Sequence, residues 1–356
     1  MADIVENAWH AIGYSEDFAA GELVPLQLLG HPLVVTRSDV GLVALEDRCS
    51  HRFAPLSKGR CEGVNIRCMY HGLLFAPDGR CIEIPGQDKI PPRAAIRRFA
   101  IVEQGGWVFV WGGAPEAADE SLLPPFVAID SPDYFFVKGR LDYAASNDLI
   151  NANLLDFTHL TFVHPASFGA DESWAQVKPT IQPIANGVAV EWWVETQAMP
   201  GTDKDNPMLV DLHTSYEYLV PGYLIMRTEP YPLGTVAQLS ASGKPPCGPL
   251  VSEVHGQAVT ALSATTSRYF FTWGVPRTMP DAETLIHQRL AMAQQAFAED
   301  KAIIEAQHAI IASAPADRAI MPTGGDKAIT LFERAMARRR DTARRSNSCG
   351  PIMSIA

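Results

Sequence analysis

Cys49-x-His51 and Cys68-x-x-His71 constrain this chain more than any other feature. Each short segment supplies one thiolate and one imidazole. Two such pairs satisfy a Rieske [2Fe–2S] cluster, in which two Cys hold one iron and two His hold the other. Exchanging two charged thiolates for neutral imidazoles leaves the cluster less negative, so it takes up an electron at a higher potential than an all-Cys cluster. The flanks read CSHRFAPLSKG (49–59) and CMYHGLLF (68–75). The alternative is a Cys2His2 zinc site, whose paired ligands usually stand about two to four residues apart. The single residue between Cys49 and His51 is tight for that use. Cys61, between the pairs, has no place in either pattern and reads as a buried or half-buried free thiol.

The rest of the chain is too large for one small electron carrier. Its 356 residues suggest two domains. Apolar residues make up 47% and charged residues 19%, enough for a sizeable core. A net charge of −11 argues against nucleic acid, which needs a basic surface. No apolar run approaches the roughly 18–20 residues of a membrane span. The N-terminus lacks the basic-then-apolar pattern of a secretory signal. Six Cys in so long a chain are no disulfide framework, and a reducing, cytoplasmic setting is expected.

Residues 1–120 read as short strands and turns, an all-β cluster domain. Leu/Val runs are broken by Gly30, Ser38-Asp39 and Gly41, and Gly105-Gly106 turns one apolar strand into the next. The Pro-rich stretch 124–134 reads as a linker, and residues 121–356 as a second, α+β domain. Its expected elements are a helix over 146–164, strands within 176–195, 208–232 and 250–276, and helices over 281–313 and 326–345. The RRRDTARR run in the last helix reads as a solvated helix end.

His159 and His164 close the helix expected over 146–164. Five residues apart on an ideal helix, they would point roughly 140° from each other. They can share a metal only if the helix distorts, and Pro165 gives a reason for it to end. Two His and one carboxylate with open positions are the usual holder of an Fe(II) that activates O2. The long helix offers that carboxylate. Its apolar stripe runs Ile286, Leu290, Ala293, Phe297, Asp300, Ile304, Gln307, so Asp300 faces inward and Glu299 reads as solvated. A buried carboxylate without a cation is costly. Asp156, three residues before His159, could orient that imidazole or link the two metals.

Together these residues resemble the Rieske non-haem iron oxygenases, in the branch of the vanillate O-demethylases and dicamba monooxygenase. Carrying the resemblance are NAWHAIGYSEDF, the two cluster loops, IPGQ (84–87), NLLDFTHLTFVHPASFG (153–169), RYFFTWG (268–274) and FAEDKAIIEAQ (297–307). It implies an N-terminal β domain holding the cluster on Cys49, His51, Cys68 and His71. It also implies a helix-grip-like catalytic domain with a curved antiparallel sheet, holding mononuclear Fe(II) on His159, His164 and Asp300. Asp156 matches the acidic bridge for electron transfer between neighbouring subunits of a homotrimer. Phe53 stands where relatives commonly have Gly, and Ala152 where an acidic residue is common.

The resemblance further implies NAD(P)H oxidised by a separate reductase, with or without a ferredoxin, since no dinucleotide fingerprint is present. The substrate would be a small aromatic molecule, O2 the co-substrate, and O-demethylation of a methoxylated aromatic acid the reaction. Asn153, Met226, Arg227, His255, Gln257 and Thr260 are candidate substrate contacts, with Arg227 and His255 suited to a carboxylate. Ring hydroxylation, N-demethylation, a non-catalytic electron carrier and a zinc-stabilised binding protein are the competing readings.

Overall fold

The computed structural model describes residues 5–165, 167, 174–199, 206–315, 318 and 320–348. The closing tail with Cys349, and Ala166, Phe168 and Gly169 of the HPASFG stretch, lie outside the described residues, as do the side chains of 342–348. The chain divides into two compact units. One comprises Met1–Leu123, Thr260–Thr265 and Arg339–Ala356; the other comprises Pro124–Val259 and Thr266–Arg338.

The first unit is built from three small sheets. Trp107–Trp111 sits between Trp9–Tyr14 and Ile101–Gln104, paired antiparallel to both. Every residue of that WVFVW strand is buried, which explains its unbroken apolar run. Gly105 and Gly106, both at positive φ, make the turn that feeds it. A second sheet orders Val24–Leu28, His31–Ser38, Gly41–Glu46 and Arg98–Phe99; the third orders Arg60–Glu62, Asn65–Arg67, Leu74–Phe75 and Cys81–Glu83. Val34, Leu45, Leu56, Ile66 and Phe75 form one core that encloses Cys49 and Cys68. Cys61 is half-buried, with its sulfur 3.3 Å from the Thr36 hydroxyl. Arg339 does not stand free in solvent, since its Nε donates to the Asn7 carbonyl at 3.2 Å.

The second unit is one seven-stranded antiparallel sheet backed by helices. Its order is Tyr134–Tyr143, Ser267–Pro276, Glu253–Ala261, Tyr223–Pro232, Leu209–Leu219, Gly187–Ala198 and Thr180–Ile184. One face carries the helices. Tyr218 and Tyr216 donate from it to Asn151 Oδ1 (2.8 Å) and the Leu155 carbonyl (3.2 Å) of α1, Asn147–Leu155. Farther along, Phe297 of α3, Ala282–Ala312, packs on Tyr269 and Phe271, with ring centroids 5.1 and 4.9 Å apart.

Two expectations about the helices are corrected. The segment 146–164 is not continuous: α1 stops at Asp156, whose extended backbone (φ −127°, ψ 99°) starts a 3-10 turn over Phe157–His159. The single turn α2, Leu160–Val163, then ends at His164. The Asp156 carboxylate accepts the Thr158 N–H at 2.9 Å and so caps the new turn, an alternative to helix that Asp readily offers. On α3 the inward stripe holds from Ile286 to Ile304, but Leu290 is only half-buried and Gln307 is exposed. No helix among the described residues is long and apolar enough to cross a membrane.

Two histidines are buried in these units without a charge partner strong enough to keep them protonated. Burial pushes His10 down to about 4, the Val5 carbonyl opposing in part. Burial and the Arg289 charge likewise bring His255 to about 4, against the pull of Glu253. Both sit near 6.5 when unfolded, so between those values the unfolded chain binds more protons. Their stabilisation is complete above about pH 6.5 and is lost as pH falls towards 4, about 3 kcal/mol for each. Unfolding free energy measured by urea between about pH 7 and about pH 4 should decline over that window, and His255→Gln should flatten the slope.

Candidate metal centres

The two Cys/His loops share one backbone design. Cys49 N–H donates to the Ala54 carbonyl (2.9 Å) and Phe53 N–H returns to Cys49 (2.9 Å). In the second loop Cys68 N–H donates to Leu73 (2.8 Å) and Gly72 N–H returns to Cys68 (3.0 Å). The residue four past each Cys lies in the left-handed region: Phe53 at φ 59° and Gly72 at φ 75°. That geometry is why Gly suits position 53, and Phe there carries strain of about 1–2 kcal/mol. Arg67, one residue before Cys68, holds the second loop: it donates to the Gly72 carbonyl (2.7 Å) and pairs with Glu62 (2.6 Å) and Glu83 (2.9 Å). In the sequence only the charges of Glu62 and Glu83 signal this role of Arg67.

Cys49 and Cys68 are buried while His51 and His71 are exposed, their rings 4.5 Å apart. Burial raises the Cys49 thiol to about 11; backbone N–H groups of His51 and Arg52 oppose this, and the adjacent Cys68 adds to it. Two buried thiols pressed together gain as thiolates only beside a cation. The donor set therefore fits a cluster with sulfur-bound iron inside and imidazole-bound iron at the surface.

The second centre forms where α2 ends against α3. His159, His164 and Asp300 offer ligand atoms that all lie within 4.8 Å of one another. Asp300 Oδ1 is 3.1 Å from His164 Nε2 and 3.5 Å from His159 Nε2. Two ligands at right angles, each about 2.1 Å from an ion, stand about 3 Å apart, so the spacing suits one metal. Each imidazole turns its Nε2 inward because its Nδ1 is engaged. His159 Nδ1–H donates to the Asp156 carbonyl (2.6 Å), and His164 Nδ1–H donates to Glu299 Oε2 (2.8 Å). In the Nδ1–H tautomer each Nε2 presents its lone pair to a metal. Burial opposes charge at this centre, yet the carboxylates raise His164, and hydrogen bonds from His159 and His164 bring Asp300 down to about 2.

Asp156 and Glu299 act through groups that spacing does not show. Asp156 orients His159 through its backbone carbonyl; its carboxylate caps Thr158 and lies against Gly325, where a Cβ would come within 2.7 Å. Glu299, expected to be solvated, is half-buried and receives His164, Ser167 (2.7 Å) and Gln295 (3.1 Å). Nothing in α3 alone marks this, because it depends on where His164 arrives.

Asn153 is at the centre, its amide donating to Asp300 Oδ1 at 3.0 Å. The other candidate substrate contacts divide by strand alternation. Met226 pairs with His255 and Leu224 with Gln257, while Tyr216 pairs with Met226, so these side chains share the helix-bearing face. Arg227 pairs with Val254 on the opposite face. Thr260 is one step out of phase as well and is spent on the Ala11 carbonyl at 2.6 Å. Neither side chain projects to the helix-bearing face with His255, although Arg227 borders a small cavity together with Met226 and His255. His255 is buried against Trp273 (4.2 Å) and bonds Thr228 (3.3 Å); the buried Gln257 carbonyl Oε1 has no hydrogen-bond partner among the described residues. Behind them Glu253 accepts from Arg289 (2.7 Å) and Trp273 (2.7 Å).

Residues 8–99 match the Rieske [2Fe–2S] domain, and residues 143–342 match the vanillate O-demethylase oxygenase C-terminal domain. The chain is 35% identical over 333 residues to the toluene-4-sulfonate monooxygenase system iron–sulfur subunit of Comamonas testosteroni, spanning 90% of this chain and 93% of that one. It is 26% identical over 352 residues to a vanillate O-demethylase oxygenase subunit of Pseudomonas sp. (strain HR199), spanning 95% and 96%. The crystal structure of dicamba monooxygenase bound to 3,6-dichlorosalicylic acid shares the fold, with a TM-score of 0.83 at 23% identity over 96% of this chain and 99% of that one. This chain belongs to the Rieske non-haem iron oxygenases, in the group whose C-terminal domain is of the vanillate O-demethylase type.

The two loops should respond oppositely to substitution. Gly72→Val places a side chain at φ 75°, with its Cβ 2.8 Å from Pro85 Cγ, and should sharply reduce cluster iron and sulfide. Phe53→Gly relieves strain, so cluster content should be retained and Tm unchanged or slightly raised. Iron and sulfide analysis with thermal melts checks both.

Proposed function

We propose that the chain is the terminal oxygenase component of a Rieske monooxygenase system that O-demethylates a methoxylated aromatic acid. Cys49, His51, Cys68 and His71 would hold the cluster, and His159, His164 and Asp300 the mononuclear iron. The observation that carries this is the meeting of two Nε2 atoms and one carboxylate oxygen, with both Nδ1 atoms already engaged. When bound, the cluster would supply single electrons and the iron would activate O2 for insertion into a C–H bond.

The chain's own groups set up the reaction. Asn153 holds Asp300 Oδ1 from the α1 side. The buried Gln257 carbonyl, without a partner among the described residues, would accept a hydrogen bond from a polar ring substituent, and neutral His255 would offer a second contact, with Met226 against the ring. With O2, two electrons and two protons, an aryl methyl ether becomes a hemiacetal plus water. The hemiacetal then collapses to a phenol and formaldehyde. Electrons would come from NAD(P)H through a separate reductase, and Asp156 would meet His71 of a neighbouring copy in a homotrimer.

A second reading, hydroxylation of a ring methyl group on an aromatic sulfonate, is favoured by the 35% identity to the toluene-4-sulfonate monooxygenase subunit. Incubation with methoxybenzoates and with toluenesulfonates, a reductase and NADH separates the two. Formaldehyde supports demethylation and a hydroxymethyl product supports the second. Neither product, with NADH left unspent, rejects both.

Variants test the site assignments. Asp300→Ala should abolish turnover, by at least about 1,000-fold, while the cluster is still reduced; unchanged turnover would make the chain a mere electron carrier. Asp156→Asn should keep both metals but slow reoxidation of the cluster by at least about tenfold in single turnover with substrate and O2. Gln257→Leu should raise KM by about 5–50-fold, the cost of one polar contact of about 1–2 kcal/mol.

A further inference from the structure

The two imidazoles of the mononuclear centre are held by unlike partners. His159 Nδ1–H meets a neutral backbone carbonyl, whereas His164 Nδ1–H meets a carboxylate. We infer that Glu299 is a positioning residue for the metal: its carboxylate fixes the His164 ring and makes His164 the stronger donor of the pair. This rests on the metal reading proposed above.

Three features support it. His164 is fully buried, so its ring has no solvent to satisfy Nδ1, and Glu299 Oε2 at 2.8 Å is the acceptor that meets it. Glu299 is itself held in place: Ser167 donates to the same Oε2 at 2.7 Å, and Gln295, one turn earlier on α3, donates to Oε1 at 3.1 Å. It also directly precedes Asp300, so one helical turn of α3 delivers both a ligand and the group that aims another ligand. A hydrogen bond to an anion polarises the Nδ1–H bond more than one to a carbonyl, and raises the basicity of Nε2 across the ring. The metal therefore meets a graded pair of imidazoles.

The test uses the full-length chain with its cluster in place, after a chelator has emptied the mononuclear site. Fe(II) affinity is measured for wild type, Glu299→Ala, Glu299→Gln and His164→Ala, with the exposed Glu283→Gln on the same helix as control. Glu299→Ala should bind Fe(II) about 10–100-fold more weakly. Glu299→Gln keeps an acceptor for His164 and Ser167 if the Gln295 amide turns over, so its loss should stay below about tenfold. In the Co(II)-loaded protein, Glu299→Gln should shift the ligand-field absorption bands, a change that mere loss of packing does not cause.

Wild-type affinity in Glu299→Ala, or unshifted Co(II) bands in Glu299→Gln, overturns the inference alone, provided His164→Ala loses Fe(II). Should His164→Ala bind Fe(II) like wild type, the metal reading itself falls, and this inference with it.

Discussion

One carboxylate oxygen organises the catalytic unit. Asp300 Oδ1 lies within reach of His159, His164 and Asn153, inside a protein interior where an isolated charge would be costly. Two chain segments far apart in sequence, 153–164 and the long helix, must therefore arrive together for that charge to be tolerated. The long helix fixes the carboxylate by seating Phe297, one turn earlier, on Tyr269 and Phe271. The histidines come from a segment that has to leave helical geometry to reach it. The centre is thus a junction between a rigid rod and a deliberately broken one.

The break is achieved locally. Asp156 gives its side chain to the Thr158 N–H and its carbonyl to His159, so a single residue ends one helix, starts the next turn and aims a ligand. The cluster loops use a comparable economy. Each Cys both donates and accepts a backbone hydrogen bond around a residue at positive φ, and Arg67 ties the second loop to Glu62 and Glu83. In both places backbone bonds set part of the ligand geometry, at His159 and at the two Cys.

Much of this was legible in the sequence, for identifiable reasons. The Cys/His pairs and the apolar stripe through Asp300 follow from spacing alone, and the strands of the large sheet from alternation and β-branched runs. The break at Asp156 was not legible, because its cause is a hydrogen bond that competes with the helix by a small margin. Glu299 was misread since helical phase shows only whether a residue faces the sheet, whereas its partner approaches from the side. The facing of Arg227 and Thr260 was not legible for a related reason. Proximity in sequence to Met226 and Gln257 says nothing about which side of a strand a residue takes, and only the register settles it.

That register has an evolutionary corollary. Met226, His255 and Gln257 project from alternate positions, while Ile225, Val254 and Gly256 between them face the other way, where Phe126 from the Pro-rich segment approaches Gly256 and Tyr223. On the proposed substrate assignment, chemical preference and mechanical integrity are therefore written in interleaved letters of the same strands. A lineage can revise the first set to accept a new compound and leave the second untouched, so the scaffold can diversify without being rebuilt.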